Sequence, residues 1–562
     1  MKDDYPITNS VLSLLKSKLE QFGSKTALCI KNGDNWQNLS YAELGQRACN
    51  LANYLIESGI QPGDRIAILS ESRPEWSIGL FAGFLAGAIV VPLDIKLSET
   101  ELNSILSDCV PQILLTSLSH QNIADKLKSS VVSIAQVLTL EKVAIDLPSE
   151  SIQSQDILQF QERQLDEVAS IIYTSGTTGK PKGVAIAFRN LIFEAETLGK
   201  LVGIGPNDSF LSILPLNHLL ELSGGLLSVL YAGGTVCYAQ SLYPQDILQM
   251  MQERQITAIL GVPLFFKTLY NSIQKEVVRG TPLKRLWFQG AMTLAKKLPW
   301  QTARRIIFFP IHQKFGGKFR LFISGGAALD MDVAGFFEQI GLPIIQGYGL
   351  TETGPVICVN SPKANRIGSV GKPLPGVEIK IDSPEPEQTQ GEVLTRGPHV
   401  MKGYYKSEEL TRQVLDRDGW FHTGDLGVID ADGFLHITGR IKNLIVLGGS
   451  KKVNPEEVEA ILSKSPAIQE ICVLGRLAKY GIKKDTEEVC AVVVPSDFIK
   501  QELQTKPEAL LREIEREIAN LATNLASYKR PSRIFMHLEA LPKTSTRKIK
   551  RPLVLEWINT LE

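Results

Sequence analysis

The stretch YTSGTTGKPKG, Tyr173 to Gly183, decides how this chain is read. Three glycines (Gly176, Gly179, Gly183), four hydroxyl side chains (Thr174, Ser175, Thr177, Thr178) and two lysines (Lys180, Lys182) crowd around Pro181, directly after the apolar pair Ile171-Ile172. The pattern predicts a strand running into a donor-rich loop. Backbone N–H groups without bulky side chains wrap polyphosphate oxygens, hydroxyls add donors, and lysines add charge. It is not a Walker loop, which needs Gly where Thr174 stands and Ser or Thr where Pro181 follows Lys180. The plain alternative is a solvated turn. The density of donors beside two cations favours nucleotide phosphates.

Outward from this loop, helical and strand patterns alternate. Residues 41–57 have helical spacing, 65–69 read as a strand, 74–86 as a helix, 88–92 as a strand, 102–107 as a helix, and 113–115 are apolar. Such alternation implies βαβ units around a parallel sheet. Strand ends return after the loop at 211–214, 235–238, 256–261, 321–324 and 344–346. From about Gly368, short strands separated by turns such as Asp432-Gly433 suggest a smaller β-rich subdomain, with 382–390 as its exposed loop. Beyond Arg440 the pattern becomes α+β, with helices from Pro455 and Pro507 and strands at 471–474 and 489–494. The expected fold class is α/β: a large N-terminal domain of parallel-sheet α/β subdomains plus a small β-rich subdomain, then an α+β C-terminal domain. The expected domains are 1–441 and 442–562.

Composition bounds the answer. At 562 residues the chain exceeds one ordinary domain. Lys+Arg 60 against Asp+Glu 60 gives no charge argument for nucleic acid as a partner. Seven cysteines (29, 49, 109, 237, 358, 472, 490) show no CxxC pair and no histidine at ligand spacing. They are expected as buried thiols in a reducing compartment, not as disulfides or a zinc site. The opening MKDDYPITNS is acidic and lacks an apolar core, so no signal peptide is expected and the cytoplasm is the expected location. Residues 76–93 carry no charge and raise the question of a membrane span. Three internal glycines, Pro92 and the neighbouring strand at 65–69 favour a buried helix leading into a strand.

Further motifs follow strands. SGGAALD (324–330) has two glycines and two alanines that let a flat ligand approach the backbone; the alternative is a tight turn. QGYGLTET (346–353) offers a stacking face at Tyr348, a phosphate donor at Thr351 and a hard oxygen ligand for Mg²⁺ at Glu352. Its alternative is a helix entry capped by Thr351. DGWFHTGDLG (418–427) presents Asp425, a carboxylate able to accept both hydroxyls of a ribose. GRIKNLIVLGGSKKVNPEEVE follows from Gly439, and LPKTSTRKIKR ends at Arg551.

Together these motifs resemble the ANL superfamily of adenylate-forming enzymes, in that superfamily's order and over nearly the whole chain. Within it the sequence is most similar to bacterial long-chain acyl-CoA synthetases. LPLNHLLE (214–221), the QGYGLTET form, the TGRIKNLIVLGGSKKVNPEEVE run, the long segment between GVP (261–263) and SGGA, and the TSTRKIKR ending carry that likeness.

The resemblance implies ATP, Mg²⁺ and CoA as cofactors and a fatty acid as substrate. A carboxylate is a poor electrophile; attack on the α-phosphate of ATP makes an acyl-adenylate with AMP as a good leaving group, and a thiol then takes the acyl group. By resemblance, Thr174, Ser175, Gly176, Thr177, Thr178, Gly179 and Lys180 hold the β and γ phosphates. Gly325, Gly326, Ala327 and Tyr348 enclose the adenine, alongside Gln346, Gly347 and Gly349 of the same motif. Thr351 contacts the α-phosphate and Glu352 binds the metal. Asp425 and Arg440 hold the ribose. Lys548 bridges the carboxylate and the α-phosphate as charge builds, and electrostatic stabilisation of that kind is usually the largest catalytic contribution. Arg547 stands where the superfamily commonly has Gly, and Lys543, Lys550 and Arg551 add further cations. A basic run taken alone reads as a solvated tail.

Lys442 matches a hinge about which the C-terminal domain swings between half-reactions, with Gly448-Gly449 either opening a pantetheine tunnel or making a simple turn. His218, in a Leu-rich run, lines the carboxylate end of the acyl pocket by resemblance; a lone histidine there is otherwise a hydrogen-bonded core residue. The segment 264–319 is long enough to shape an acyl tunnel. Its Lys296, Lys297, Trp300, Arg304, Arg305 and 306–309 read either as a peripheral membrane contact or as a partly buried helix with a solvated basic end. Two rivals share the motifs: the same adenylation with an acyl-carrier protein as acceptor, and a non-catalytic nucleotide or acyl-binding protein. The second would be expected to lack Glu352, Asp425 or Lys548, and all three are present. Oligomeric state does not follow from the sequence.

Overall fold

The computed structural model describes residues 11–142, 160, 162–175, 181–298, 300–383, 390–447, 451–477, 486–502, 507–543 and 549–561, with the side chains of 11–15, 175 and 502 set aside. The chain forms two compact units, 1–379 with 395–421, and 380–394 with 422–562.

Two sheets build the first unit. The nine-stranded sheet runs, edge to edge, Lys372–Pro373, Cys358–Val359, Ile344–Tyr348, Leu321–Ser324, Ala258–Gly261, Ser209–Ser212, Thr235–Tyr238, Thr26–Asn32 and Asn35–Ser40. Its central neighbours are parallel, and antiparallel pairs close both edges. The seven-stranded sheet runs Gly403–Tyr404, Pro181–Ala187, Val168–Ser175, Ile89–Pro92, Arg65–Leu69, Ile113–Thr116 and Gln136–Thr139. Its last five strands pair in parallel, while Val168–Ser175 and Pro181–Ala187 form an antiparallel hairpin.

Local chemistry sets the helix ends. Ser40 starts the helix Tyr41–Glu57 with a capping box: its hydroxyl accepts the Glu43 N–H at 3.2 Å, and Glu43 accepts the Ser40 N–H at 2.7 Å. Ser98 and Glu101 repeat the device for Glu99–Cys109. The uncharged stretch resolves as expected into the helix Pro74–Leu85, buried at every position but Glu75, and the strand Ile89–Pro92. Among the described residues no helix is long and apolar enough to cross a membrane.

One expectation fails. Cys29 and Cys237 form a disulfide, with Cα atoms 4.6 Å apart. They are opposite partners on adjacent parallel strands although 208 residues separate them, so no spacing in the sequence announces the pair. The other five cysteines are buried and outside it.

The β-rich part is a four-stranded sheet of Glu378–Asp382, Gly391–Arg396, Phe421–Ile429 and Leu435–Arg440. The division by contact runs through this sheet, so 422–441 group with the C-terminal residues rather than ending at Lys442. A boundary of movement at Lys442 is a different property. In the second unit Ile468–Leu477, Glu487–Pro495 and Arg533–Met536 form a three-stranded sheet. The helices Pro455–Leu462 and Pro507–Ala522 cover it through Val458, Leu462, Ile514 and Ile518, all buried against Val473, Ala491 and Val493.

Candidate active site

In open parallel sheets ligands bind beyond the carboxyl ends of the strands. Two of the segments singled out in the sequence, SGGAALD and QGYGLTET, leave the nine-stranded sheet at that edge. Ser324 pairs with Gln346 in register, so the SGGA turn and the QGYGLTET run emerge from neighbouring strands. The Gly325 N–H donates to the Gly261 carbonyl at 3.2 Å. A Cβ at Gly325 would lie 2.9 Å from Leu220 Cδ2, so the backbone here comes close to the apolar wall. Gly326 has φ +81 and open space around its missing Cβ. Ala327 is exposed beside it.

Gln346, Gly347, Tyr348 and Gly349 are half-buried in sequence on the next strand and its exit. A Cβ at Gly349 would sit 2.1 Å from the Pro355 carbonyl oxygen. The chain then closes a 3₁₀ turn, Thr351–Thr353, in which Thr353 Oγ1 accepts the Leu350 N–H at 2.8 Å. This turn sets Thr351 and Glu352, both half-buried, at the sheet edge. Buried groups back it: Glu194 accepts the Val356 N–H at 3.2 Å, and burial pushes its carboxyl well above the ordinary range.

Tyr404 links this turn to the hairpin. Its hydroxyl donates to Glu352 Oε1 at 2.8 Å, while Lys182 Nζ lies 5.3 Å from the centre of its ring. Burial, aided by the Glu352 carboxylate, raises the Tyr404 pKa, so the phenol stays a donor. The strand Gly403–Tyr404 pairs with Pro181–Ala187, putting Tyr404 opposite Val184. In the hairpin, Thr174 stands opposite Lys182 and Ser175 opposite Pro181. Gly176, Thr177, Thr178, Gly179 and Lys180, which join the two strands, lie outside the described residues. The structure therefore brings the lysine of the loop and the acid of QGYGLTET onto one tyrosine. Sequence reading missed Tyr404; the run Gly403-Tyr404-Tyr405 was its only signal.

His218 is half-buried just before a π-helical segment, Glu221–Leu227, and its carbonyl accepts the N–H groups of Glu221 and Leu222 at 3.0 Å each. π-Helical turns occur frequently at functional sites. Ser223 donates from this segment to the Gly354 carbonyl at 3.3 Å, tying the apolar wall to the 3₁₀ turn. Glu221 is fully buried, and burial pushes its carboxyl up to about 8.

In the second unit Asp425 and Arg440 are direct partners across the hairpin, with Arg440 Nε 2.6 Å from Asp425 Oδ1. Asp425 is buried and Arg440 half-exposed. Lys442 is exposed in the 3₁₀ turn Ile441–Asn443. Gly448, Gly449 and Lys548 lie outside the described residues. The neighbours of Lys548 are informative: Lys543 Nζ is 2.5 Å from Glu470 Oε1, and Arg551 binds Glu459 at 2.6 Å and Glu456 at 3.2 Å. Those two cations hold the unit together, which the basic run in the sequence did not reveal.

The donor set suits a magnesium nucleotide. Glu352 supplies a carboxylate that shares Tyr404 with Lys182, and Gly325 and Gly326 supply backbone that admits a flat ring.

Comparison with known proteins agrees. A feruloyl-CoA synthase of Amycolatopsis is 31% identical over 91% of this chain and 92% of its own length. A chloroplastic long-chain-fatty-acid–[acyl-carrier-protein] ligase of Arabidopsis thaliana is 29% identical over 97% and 85%. A long-chain-fatty-acid–CoA ligase of Mycobacterium bovis is 30% identical over 93% and 91%. The o-succinylbenzoate CoA synthetase of Bacillus subtilis, solved with ATP and magnesium ion, superposes with TM-score 0.74 at 28% identity, covering 97% of this chain and 99% of that one. Residues 15–405 match the AMP-binding enzymes and residues 457–548 match their C-terminal domain. This chain belongs to the AMP-binding family of adenylate-forming enzymes.

Proposed function

We propose that this protein is an AMP-forming acid–thiol ligase acting on fatty acids: it joins the acid to AMP with release of pyrophosphate, then passes the acyl group to CoA. The observation that carries the reading is the Lys182–Tyr404–Glu352 arrangement, which sets a cation and a carboxylate around one phenol at the carboxyl edge of the sheet.

In this reading the loop 174–180 and Lys182 bind the β and γ phosphates. Thr351 donates to the α-phosphate, and Glu352 would hold Mg²⁺, which neutralises phosphate charge when bound. Asp425 takes the ribose hydroxyls, held in aim by Arg440. Lys548 stabilises the charge built up as the carboxylate oxygen bonds to the α-phosphorus and the bond to pyrophosphate breaks. In the second step the thiol sulfur bonds to the acyl carbon, its proton leaves, and AMP departs.

The named relatives differ in acid and acceptor, so the fatty acid rests on the wall. The segment 214–227 lines the approach to Gly325 through Leu220; of its polar members Glu221 is sealed from water and Ser223 is bonded to Gly354, while Asn217 and His218 are half-buried and this reading gives His218 to the carboxylate end. An aromatic acid bearing a phenol would leave that hydroxyl facing leucines, and an alkyl chain would not.

A panel of C8 to C18 fatty acids and ferulate, each with CoA and acyl-carrier protein, tests this by pyrophosphate release and thioester yield. Fatty acids should outpace ferulate with CoA. Preference for ferulate would overturn the substrate, preference for the carrier protein would overturn the acceptor, and absence of pyrophosphate with every acid would overturn the enzyme.

A further inference from the structure

The crossover between the strands Ala258–Gly261 and Leu321–Ser324 is a helical insert, Pro263–Arg279, Pro282–Lys297, Gln301–Ile307 and Phe309–Lys314. The helix Pro282–Lys297 has two apolar faces. One turns inward, with Phe288, Ala291 and Ala295 in the core of the first unit. The other carries Leu283, Leu286, Gly290 and Leu294 at three- and four-residue spacing, so they share one stripe. Leu283 is 80% exposed, Leu286 68%, Leu294 51% and the adjoining Trp287 48%. The short helices that follow add Ile306 at 71% and Phe309 at 58%, with Trp300 at 68% before them. A soluble surface helix ordinarily shows charge on its outer face. Exposed leucines and tryptophans repeated along one insert mark an interaction surface.

Charge identifies the partner. From Pro263 to Arg320 the sequence has twelve Lys and Arg and one acid, Glu276, in a chain whose total charge is zero. Some of these cations are answered: Arg304 pairs with Glu338 and Arg320 with Asp208, both acids outside the insert, and Lys314 with Glu276 inside it. Lys284, Arg285, Lys296 and Lys297, on the helix that bears the stripe, are exposed and enter no ion pair among the described residues. A second copy meeting face to face would bring like charges together. An apolar stripe flanked by basic residues suits a helix lying at the surface of an anionic bilayer.

We infer that this insert docks the protein on anionic lipid membranes, with Leu283, Leu286, Trp287 and Leu294 entering the acyl boundary and Lys284, Arg285, Lys296 and Lys297 meeting the headgroups. The insert starts at Pro263, two residues after Gly261, whose carbonyl holds Gly325. One helix therefore connects the docking face to the edge of the candidate site. Use of the contact to collect membrane-dissolved substrate rests on the fatty-acid reading; the contact itself does not.

The test needs neither ATP nor acid. The full chain is sedimented with sucrose-loaded vesicles of equal phosphatidylglycerol and phosphatidylcholine, and with phosphatidylcholine alone, at low and high salt. Pelleting with the anionic vesicles and release by salt are expected. Leu286→Glu with Leu294→Glu should weaken partition about tenfold or more, since each removes an inserted side chain. Lys296→Glu with Lys297→Glu should weaken it further at low salt than at high salt. Circular dichroism checks that both variants fold. Failure to pellet, pelleting unchanged by the leucine substitutions, or dimers in sedimentation velocity that the leucine substitutions dissolve would each overturn the inference. Loss of catalysis with retained vesicle binding would instead count against the enzymatic reading alone.

Discussion

Glu221 holds its carboxyl group away from water, with Tyr238 and Ser212 as polar neighbours in the core. Burial raises its pKa from 4.5 to about 8. The folded chain thus keeps a proton that the unfolded chain releases above 4.5. Its contribution to stability falls as pH rises from about 4.5 to about 8 and levels off beyond, because the native state binds the extra proton across that window. Glu221→Gln removes the titration while keeping the shape. Unfolding free energies from urea titrations at pH 5 and pH 8.5 should differ by less in the variant than in the native protein, the difference shrinking by an amount on the order of a few kcal/mol. Parallel pH dependence in the two proteins would show that Glu221 reaches water after all. Lys548 presents the opposite case, a residue assigned by its motif alone. Lys543 and Arg551 are committed to Glu470, Glu456 and Glu459, which removes two competing cations from the tail. Lys548→Ala should lower ATP–pyrophosphate exchange by roughly 10²–10³ while sparing thioester formation from preformed adenylate. Equal losses in both assays would reject the role.

Single glycines control how the site elements meet. A Cβ at Gly347 would make ordinary contact with Val359 at 3.5 Å, whereas one at Gly349 would strike the Pro355 carbonyl oxygen at 2.1 Å. Gly347→Ala should therefore keep the melting temperature within a few degrees. Gly349→Ala should cost about 1–3 kcal/mol, because backbone cannot rotate aside as a side chain can, and it should displace Thr351 and Glu352. Thermal unfolding with ATP–pyrophosphate exchange checks both, and equal tolerance at the two positions would refute the close approach. Elements of this kind were legible where their chemistry is local. The Ser40–Glu43 capping box starts the helix Tyr41–Glu57, whose limits are those its spacing predicts, and the strand Thr235–Tyr238 also lies where its apolar run predicts. Contacts made across long separations were not legible. Tyr404 reaches Glu352 over 52 residues, Cys29 reaches Cys237 over 208, and Arg551 reaches Glu459 over 92. The π-helical turn at Glu221–Leu227 was hidden too, since its Leu-Ser-Gly-Gly-Leu run carries no signal that tells a π-helix from a loop or an α-helix.

At the scale of the whole molecule, the question is what must move. By contact, residues 422–441 belong with the C-terminal residues. Gly439 explains part of this: a Cβ there would lie 2.2 Å from Asn454 Nδ2, so the stretches on either side of Lys442 touch. Asn454 in turn caps the helix Pro455–Leu462 by accepting the Glu456 N–H at 3.1 Å. A swing about Lys442, as proposed for passage between half-reactions, has to part Gly439 from Asn454. Lys442 is the second residue of a turn closed by the Leu444 N–H on the Ile441 carbonyl at 3.2 Å. Proline suits that turn position and fixes φ near its value there, so Lys442→Pro holds the observed turn and opposes rotation. Adenylation should continue, measured by ATP–pyrophosphate exchange, while CoA thioester formation should fall by at least about tenfold. Lys442→Ala should retain both, which separates stiffness from loss of the side chain. An unchanged overall rate in Lys442→Pro would place the pivot at another residue.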